Sequence, residues 1–265
     1  YFNITGKTLN YSKVAKHITT WLADYCNNSS LEGFIIGISG GIDSALTSTL
    51  CAQTGRKTLL VNMPIRQSSA EYSRAKDHIF DLKSKFDNVE EMEIDLTPIF
   101  DLLEKTMPET TAKHGLSMAN SRARLRMTTL YAIGQANACL VVGTGNKIED
   151  FGVGFYTKYG DGGVDISPIA DLTKSQVIAL SKEIGIIDEI LRAKPTDGLW
   201  GDDRSDEDQL GASYPELEWA MTFTGDEIEL NERQKAVLKI YRKFNAINKH
   251  KMEPIPVCKI PSTLN

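Results

Sequence analysis

In the segment Phe34-Ile35-Ile36-Gly37-Ile38-Ser39-Gly40-Gly41-Ile42-Asp43-Ser44, an apolar run rich in β-branched residues stops abruptly at a serine and two glycines. A short, uninterrupted apolar run of this kind is the pattern of a strand buried on both faces. The glycines force a tight turn, and the stretch from Asp43 to Ala52 is compatible with a helix. Strand, loop and helix in that order open a parallel α/β unit.

The same alternation continues along the chain. Thr58-Leu59-Leu60-Val61-Asn62, Val89 to Ile94 and Cys139-Leu140-Val141-Val142 read as strands, with helices over Ser69 to Leu82 and Ser117 to Ala138. Upstream, Val14, Ile18, Trp21, Leu22 and Tyr25 fall at helical spacing between Leu9 and Tyr25. The expected fold is therefore α/β, a doubly wound parallel sheet with helices on both faces. Ligands of such sheets gather beyond the carboxyl ends of the strands, where Ser39, Pro64 and Thr144 emerge.

From Gly143 to Asp165 glycine is too dense for a regular element, which marks a functional loop. Thr173-Lys174-Ser175-Gln176 has capping-box spacing and starts a helix expected to end near Ile184. Pro195 to Asp208 is irregular and acidic, and its 202–208 run reads as a mobile, solvated loop. A last helix, with Val237, Leu238, Tyr241, Phe244 and Ile247 on one face, leads to a basic turn Lys249-His250-Lys251 and a proline-rich tail. No repeat or linker divides the chain, so residues 1–265 are expected to form a single domain.

Composition limits what that domain does. Its 265 residues are 41% hydrophobic and 25% charged, an ordinary globular balance that excludes a disordered or collagen-like chain. Thirty Lys+Arg against 35 Asp+Glu give a formal charge of −5, so no global positive field holds a nucleic acid. Anionic ligands must be met locally. Cys26, Cys51, Cys139 and Cys258 are scattered without a C-x-x-C pair, which argues against a zinc site or disulfide framework. The chain opens without a signal-peptide pattern, and no apolar run approaches the roughly 18 residues of a membrane span. A cytoplasmic protein with neither nucleic-acid nor membrane partners is the expectation.

Chemistry concentrates in the first loop. Adjacent Gly40 and Gly41 let successive backbone N–H groups turn toward an anion, and Ser39 and Ser44 add hydroxyls at a positive helix end. The spacing is neither the Walker loop nor the dinucleotide-binding turn. Asp43 would repel a phosphate unless a cation lay between them, which Mg²⁺ would supply.

The S-G-G-x-D-S segment resembles the pyrophosphate loop of the N-type ATP pyrophosphatases. The stretches Gly143-Thr144-Gly145-Asn146-Lys147-Ile148-Glu149 and Phe155-Tyr156-Thr157-Lys158-Tyr159-Gly160-Asp161-Gly162-Gly163 narrow the resemblance to the NAD synthetases, of the ammonia-dependent kind. The likeness runs from about Ile35 to Lys251. It implies an adenine nucleotide alpha hydrolase-like (Rossmann-like) fold and ATP-dependent amidation of deamido-NAD through an adenylated intermediate, giving NAD, AMP and pyrophosphate. It implies ATP contacts at Gly37, Ile38, Ser39, Gly40, Gly41, Ile42, Asp43, Ser44, Thr144, Lys174 and Thr196. Mg²⁺ ligands are implied at Asp43 and Glu149, and catalytic positions at Asp43, Lys174 and Thr196. Arg124, Lys158, Asp165, His250 and Lys251 match positions that meet deamido-NAD. A homodimer is implied as well, with the segment Ser117 to Ala138 near the twofold axis. The chain leaves no room for a glutaminase domain, so free ammonia is the expected donor.

The residues taken alone leave some of these assignments open. Arg124 sits among Arg122 and Arg126, as on a solvated basic face. Lys158 and Asp165 fit an exposed polar loop equally well, and His250 fits a helix C-terminus stabilised by the dipole. Between Glu149 and Lys158 the chain has one residue more than the bacterial ammonia-dependent pattern, which leaves the loop register open. A tRNA-thiolating relative would need a cysteine pair and a basic surface, and both are missing. A non-catalytic nucleotide sensor would have no use for Asp43, Glu149 and Lys174 together.

Overall fold

The computed structural model describes residues 9–194 and 205–264. In chain order it has α1 (Tyr11–Ser29), β1 (Gly33–Gly37), α2 (Ile42–Ala52), β2 (Lys57–Asn62), α3 (Ser69–Lys85), β3 (Val89–Glu93), α4 (Thr97–Thr106) and α5 (Glu109–Ala112). There follow α6 (Gly115–Ala136), β4 (Cys139–Val141), a π-helix (Ile148–Val153), α7 (Lys174–Glu183), α8 (Asp188–Leu191), α9 (Asp206–Leu210), α10 (Tyr214–Thr222) and α11 (Glu232–Met252). The four strands are parallel in the order β3-β2-β1-β4. Each expected strand is present within a residue or two of its sequence bounds.

Strand β1 shows why the sheet is covered twice. Side chains alternate across a strand, and Phe34 and Ile36 join a core with Leu22 of α1, Leu46 of α2, Ile79 of α3 and Leu180 of α7. Ile35, between them, faces a second core holding Phe100 of α4 and Met127 and Leu130 of α6. Phe34, Ile35 and Ile36 are all fully buried, as the unbroken apolar run requires. Gly33 pairs with Lys57 so closely that a Cβ would lie 1.9 Å from the Lys57 carbonyl oxygen, which explains glycine at the start of the strand.

A third core lies beyond the sheet and gathers Ile148 and Val153 of the π-helix, Leu217 of α10 and Val237 and Leu238 of α11. It holds the carboxy-terminal helices against the glycine-dense loop. Helix α7 starts on the expected Thr173/Gln176 capping box. Helix α11 runs on to Met252, so Lys249, His250 and Lys251 form its last turn and not a turn after it. Basic side chains are favoured there by the dipole.

The acidic run also differs from the expected mobile loop. Ser205 and Asp208 form a capping box that opens α9, and Asp206 is buried. Acids at a helix N-terminus satisfy its free N–H groups and its dipole, which accounts for their density here. The earlier part of the run lies outside the described residues. Among the described residues no helix is long and apolar enough to cross a membrane. Cys26, Cys51 and Cys139 are buried and Cys258 is exposed, all as free thiols.

Candidate active site

The loop after β1 is shaped from both sides. Ile38 N–H still pairs with the Val61 carbonyl at 2.9 Å, after which the chain turns through Gly40 at φ +82°. A Cβ on Gly40 would meet the Glu71 carbonyl oxygen at 2.5 Å, so α3 lies directly over this residue. The carbonyls of the loop are tied outward: Gln67 Nε2 donates to Ser39 O at 3.2 Å and Arg74 Nε to Gly40 O at 3.2 Å. Inside the turn, Ser39 Oγ and Ser44 Oγ are 3.0 Å apart, and Ser39 Oγ accepts from Gly41 N–H at 3.1 Å. Gly41 is the N-cap of α2 and offers no side-chain acceptor, so that helix begins with N–H groups available to an anion.

Beside the loop lies a buried charge cluster. Lys174, at the first position of α7 and 3% exposed, places Nζ 2.6 Å from Asp43 Oδ2 and 3.1 Å from Glu149 Oε1. Its ammonium also lies over the Tyr214 ring, 4.8 Å from the centroid. Tyr214 OH donates to Glu149 Oε1 at 2.6 Å and lies 3.2 Å from Asp206 Oδ2, which shares the same hydroxyl. Asn146 Nδ2 donates to Asp43 Oδ1 at 3.1 Å, while its Oδ1 accepts from the N–H groups of Ile148 and Glu149.

Burial alone would lower the Lys174 pKa, but the charges of Asp43 and Glu149 outweigh it and hold the group above the ordinary lysine value. Burial pushes the Asp43 carboxyl up against the pull of Lys174, and Glu149 pushes the same way. Asp150, desolvated and facing Glu149, Asp161 and Asp43, is raised to about 8. Carboxyl groups thus outnumber the one ammonium in this cluster. Two carboxylates from distant segments converge on a single cation, an all-oxygen pair that suits a hard divalent ion. Among the described residues no three acidic, histidine or cysteine side chains form a metal cage of their own, so phosphate or water oxygens would complete the shell.

A further wall comes from α6, the loop after the π-helix and the end of α11. Arg124 Nε donates to the Lys158 carbonyl at 3.2 Å, and Lys158 Nζ donates to the His250 carbonyl at 2.9 Å. Lys251 Nζ donates to the carbonyls of Gly154 and Tyr156, and burial lowers its pKa. Both walls belong to one cavity of about 690 Å³, lined at one end by Ser39, Asp43, Ser44 and Lys174 and at the other by Arg124, Lys158, His250 and Lys251.

Most of the expected site residues therefore meet: Gly37, Ile38, Gly41, Ile42, Thr144 and Glu149 also line this cavity. Gly40 does not, because it is turned beneath α3. Asp165 does not either: its Oδ2 accepts from Val141 N–H at 2.8 Å and its Oδ1 from Tyr131 OH at 3.0 Å. That carboxylate satisfies the edge strand β4. Thr196 lies outside the described residues. Sequence reasoning passed over Asn146, Tyr214, Asp206 and Arg74, whose roles depend on contacts between segments far apart in the chain.

Glu149 stands in a π-helix, whose turn takes up one residue more than an α-helical turn. Both Glu149 and Lys158 line the cavity.

The NAD synthase family model matches residues 14–254. The chain belongs to the NAD synthase family. It is 37% identical over 243 residues to the NH(3)-dependent NAD(+) synthetase of Mycoplasma genitalium, a match covering 91% of this chain and 94% of the relative. Among solved structures, the NMN synthetase of Francisella tularensis superposes with a TM-score of 0.84 at 30% identity, covering 96% of this chain and all of the other. The NH3-dependent NAD synthetase of Campylobacter jejuni gives 0.75 at 25% identity, over 95% of this chain and all of the other.

Proposed function

We propose that the chain catalyses ATP-dependent amidation of deamido-NAD with ammonia, releasing NAD, AMP and pyrophosphate in the last step of NAD biosynthesis. The observation that carries this is the continuity of the cavity: the anion loop and the Arg124–Lys158–Lys251 wall open into one space. A nucleoside triphosphate and a second, carboxylate-bearing nucleotide can then meet without crossing solvent.

The loop N–H groups, Ser39 and Ser44 bind the triphosphate, and Thr144 and Lys174 border it. Asp43 and Glu149 would hold Mg²⁺, which would offset charge on the phosphates. Lys174 keeps those two carboxylates together and remains protonated. At the far wall Arg124, Lys158, His250 and Lys251 hold the pyridine nucleotide and aim its carboxylate. A carboxylate oxygen attacks the α-phosphorus, the bond to the β-phosphate oxygen breaks, and pyrophosphate leaves with the electron pair. Ammonia then displaces AMP from the acyl carbon. No side-chain nucleophile is needed, and positioning supplies most of the acceleration. Ammonia as donor is supported by the NH(3)-dependent relatives.

The superposition on an NMN synthetase favours one second reading, in which the acid substrate is nicotinate mononucleotide. We also infer a homodimer. Helix α6 buries Met118 and Leu130 in the core but leaves Leu116 54% and Tyr131 38% exposed next to the Arg124 wall. The test is formation of the amide from ATP, Mg²⁺ and ammonium, scored as NAD from deamido-NAD or as nicotinamide mononucleotide from nicotinate mononucleotide, each supplied as sole acid. A higher kcat/KM with deamido-NAD supports the first reading, preference for the mononucleotide the second, and no amide from either refutes both.

A further inference from the structure

We propose that Arg74 binds the β- and γ-phosphates of the nucleotide and stabilises pyrophosphate as it leaves. The proposal rests on the adenylating function above and adds to it a residue outside the loop motif.

Helix α3 crosses the anion loop so tightly that the position of a Gly40 Cβ would lie 2.5 Å from Glu71 O and 3.4 Å from Arg74 Cβ. Arg74 Nε donates to Gly40 O, and the side chain lines the cavity. The carbonyl and N–H of one peptide unit point in opposite directions, so fixing Gly40 O outward turns Gly41 N–H inward, where Ser39 Oγ accepts it. One donor of the guanidinium thus orients the loop, and four N–H donors remain.

The charge of Arg74 is also uncommitted. Arg66, Lys76, Lys83 and Lys85, its basic neighbours on α3 and the preceding loop, each sit in a salt bridge with an aspartate or glutamate. Among the described residues Arg74 has none, although a half-buried guanidinium is costly to leave uncompensated. The loop itself carries no lysine or arginine, and Lys174 is already held by Asp43 and Glu149. Attack on the α-phosphorus sends the electron pair of the breaking P–O bond onto pyrophosphate. A planar donor fork beside the loop suits that growing charge, since guanidinium matches phosphate oxygens in pairs.

Calorimetric titration of the full chain in Mg²⁺ with inorganic pyrophosphate and, separately, with AMP tests this. Arg74→Gln should weaken pyrophosphate binding roughly ten- to a hundredfold, the range of one charge-assisted contact, with AMP binding changed less than about twofold. It should lower kcat while leaving the KM for the pyridine nucleotide near wild type. Arg74→Lys, which keeps the charge but not the fork, should fall between, and it serves if Arg74→Gln does not fold. Equal losses for AMP and pyrophosphate would reduce Arg74 to a loop support and overturn the proposal, as would unchanged pyrophosphate binding. If the wild-type chain binds no pyrophosphate and forms no AMP, the adenylating function itself fails.

Discussion

Lys174 is the residue on which the site's electrostatics turn. Its ammonium is almost fully buried between Asp43 and Glu149, so removing it strands two carboxylates in a low-dielectric setting. Lys174→Met is expected to destabilise the fold by roughly 3–5 kcal/mol in urea unfolding. Adding Asp43→Asn should recover part of that loss, because the stranded charge is then smaller. Asp43→Asn or Glu149→Gln alone should leave the fold intact but reduce turnover by about a hundredfold or more, and saturating Mg²⁺ should not restore it. Rates near wild type in both would remove these carboxylates from metal binding.

His78, which does not line the cavity, makes a second residue-scale test. It is buried on α3, its Nε2 lies 2.8 Å from Ser48 Oγ, and burial lowers its pKa to about 4. A histidine whose folded pKa is depressed binds fewer protons folded than unfolded. Stability is therefore complete above the unfolded value near 6.5 and falls as pH drops toward 4, by roughly 3 kcal/mol in total. His78→Gln should flatten the unfolding free energy across that window, and an unchanged slope would show that other groups set it.

At the scale of elements, legibility followed the range of the interactions. The strand at Phe34–Ile38 and the capping box at Thr173 are local patterns, and both could be read from spacing alone. Helix α9 was hidden because its acids look like a solvated run until Ser205 is seen capping them and Tyr214 is seen covering Asp206. Asp165 was expected at the deamido-NAD site from the family resemblance, and its hydrogen bonds to Val141 N–H and Tyr131 OH could not be read from a glycine-dense loop. The π-helix places Glu149 in the cavity wall. Deleting the exposed Phe151 should convert it to an α-helical turn and rotate Glu149 against Lys158. Far-UV circular dichroism should then be retained while turnover falls at least about tenfold. A fully active deletion variant would show that the extra residue has no part in site geometry.

For the whole molecule, the cavity wall formed by α6 and α11 stands at the surface, with Tyr131, Tyr159 and Ile247 exposed around it. These side chains and the apolar tail residues Ile255, Val257 and Ile260 are more exposed apolar surface than an isolated chain favours, and a twofold contact would cover part of it. Sedimentation equilibrium at micromolar concentration should give twice the 29.4 kDa chain mass, and an active species of one chain mass would exclude the dimer.

The fold, the loop and the shared cavity all converge on transfer of an adenylyl group to a carboxylate, and isotope transfer reports that step directly. Deamido-NAD carrying ¹⁸O in its nicotinate carboxylate should be turned over with ATP, Mg²⁺ and ammonium, and the phosphorus products examined by mass spectrometry. One ¹⁸O should appear in AMP, with pyrophosphate unlabelled and AMP equal to the NAD formed. Label in inorganic phosphate accompanied by ADP, or AMP free of label, would contradict adenylation of the carboxylate.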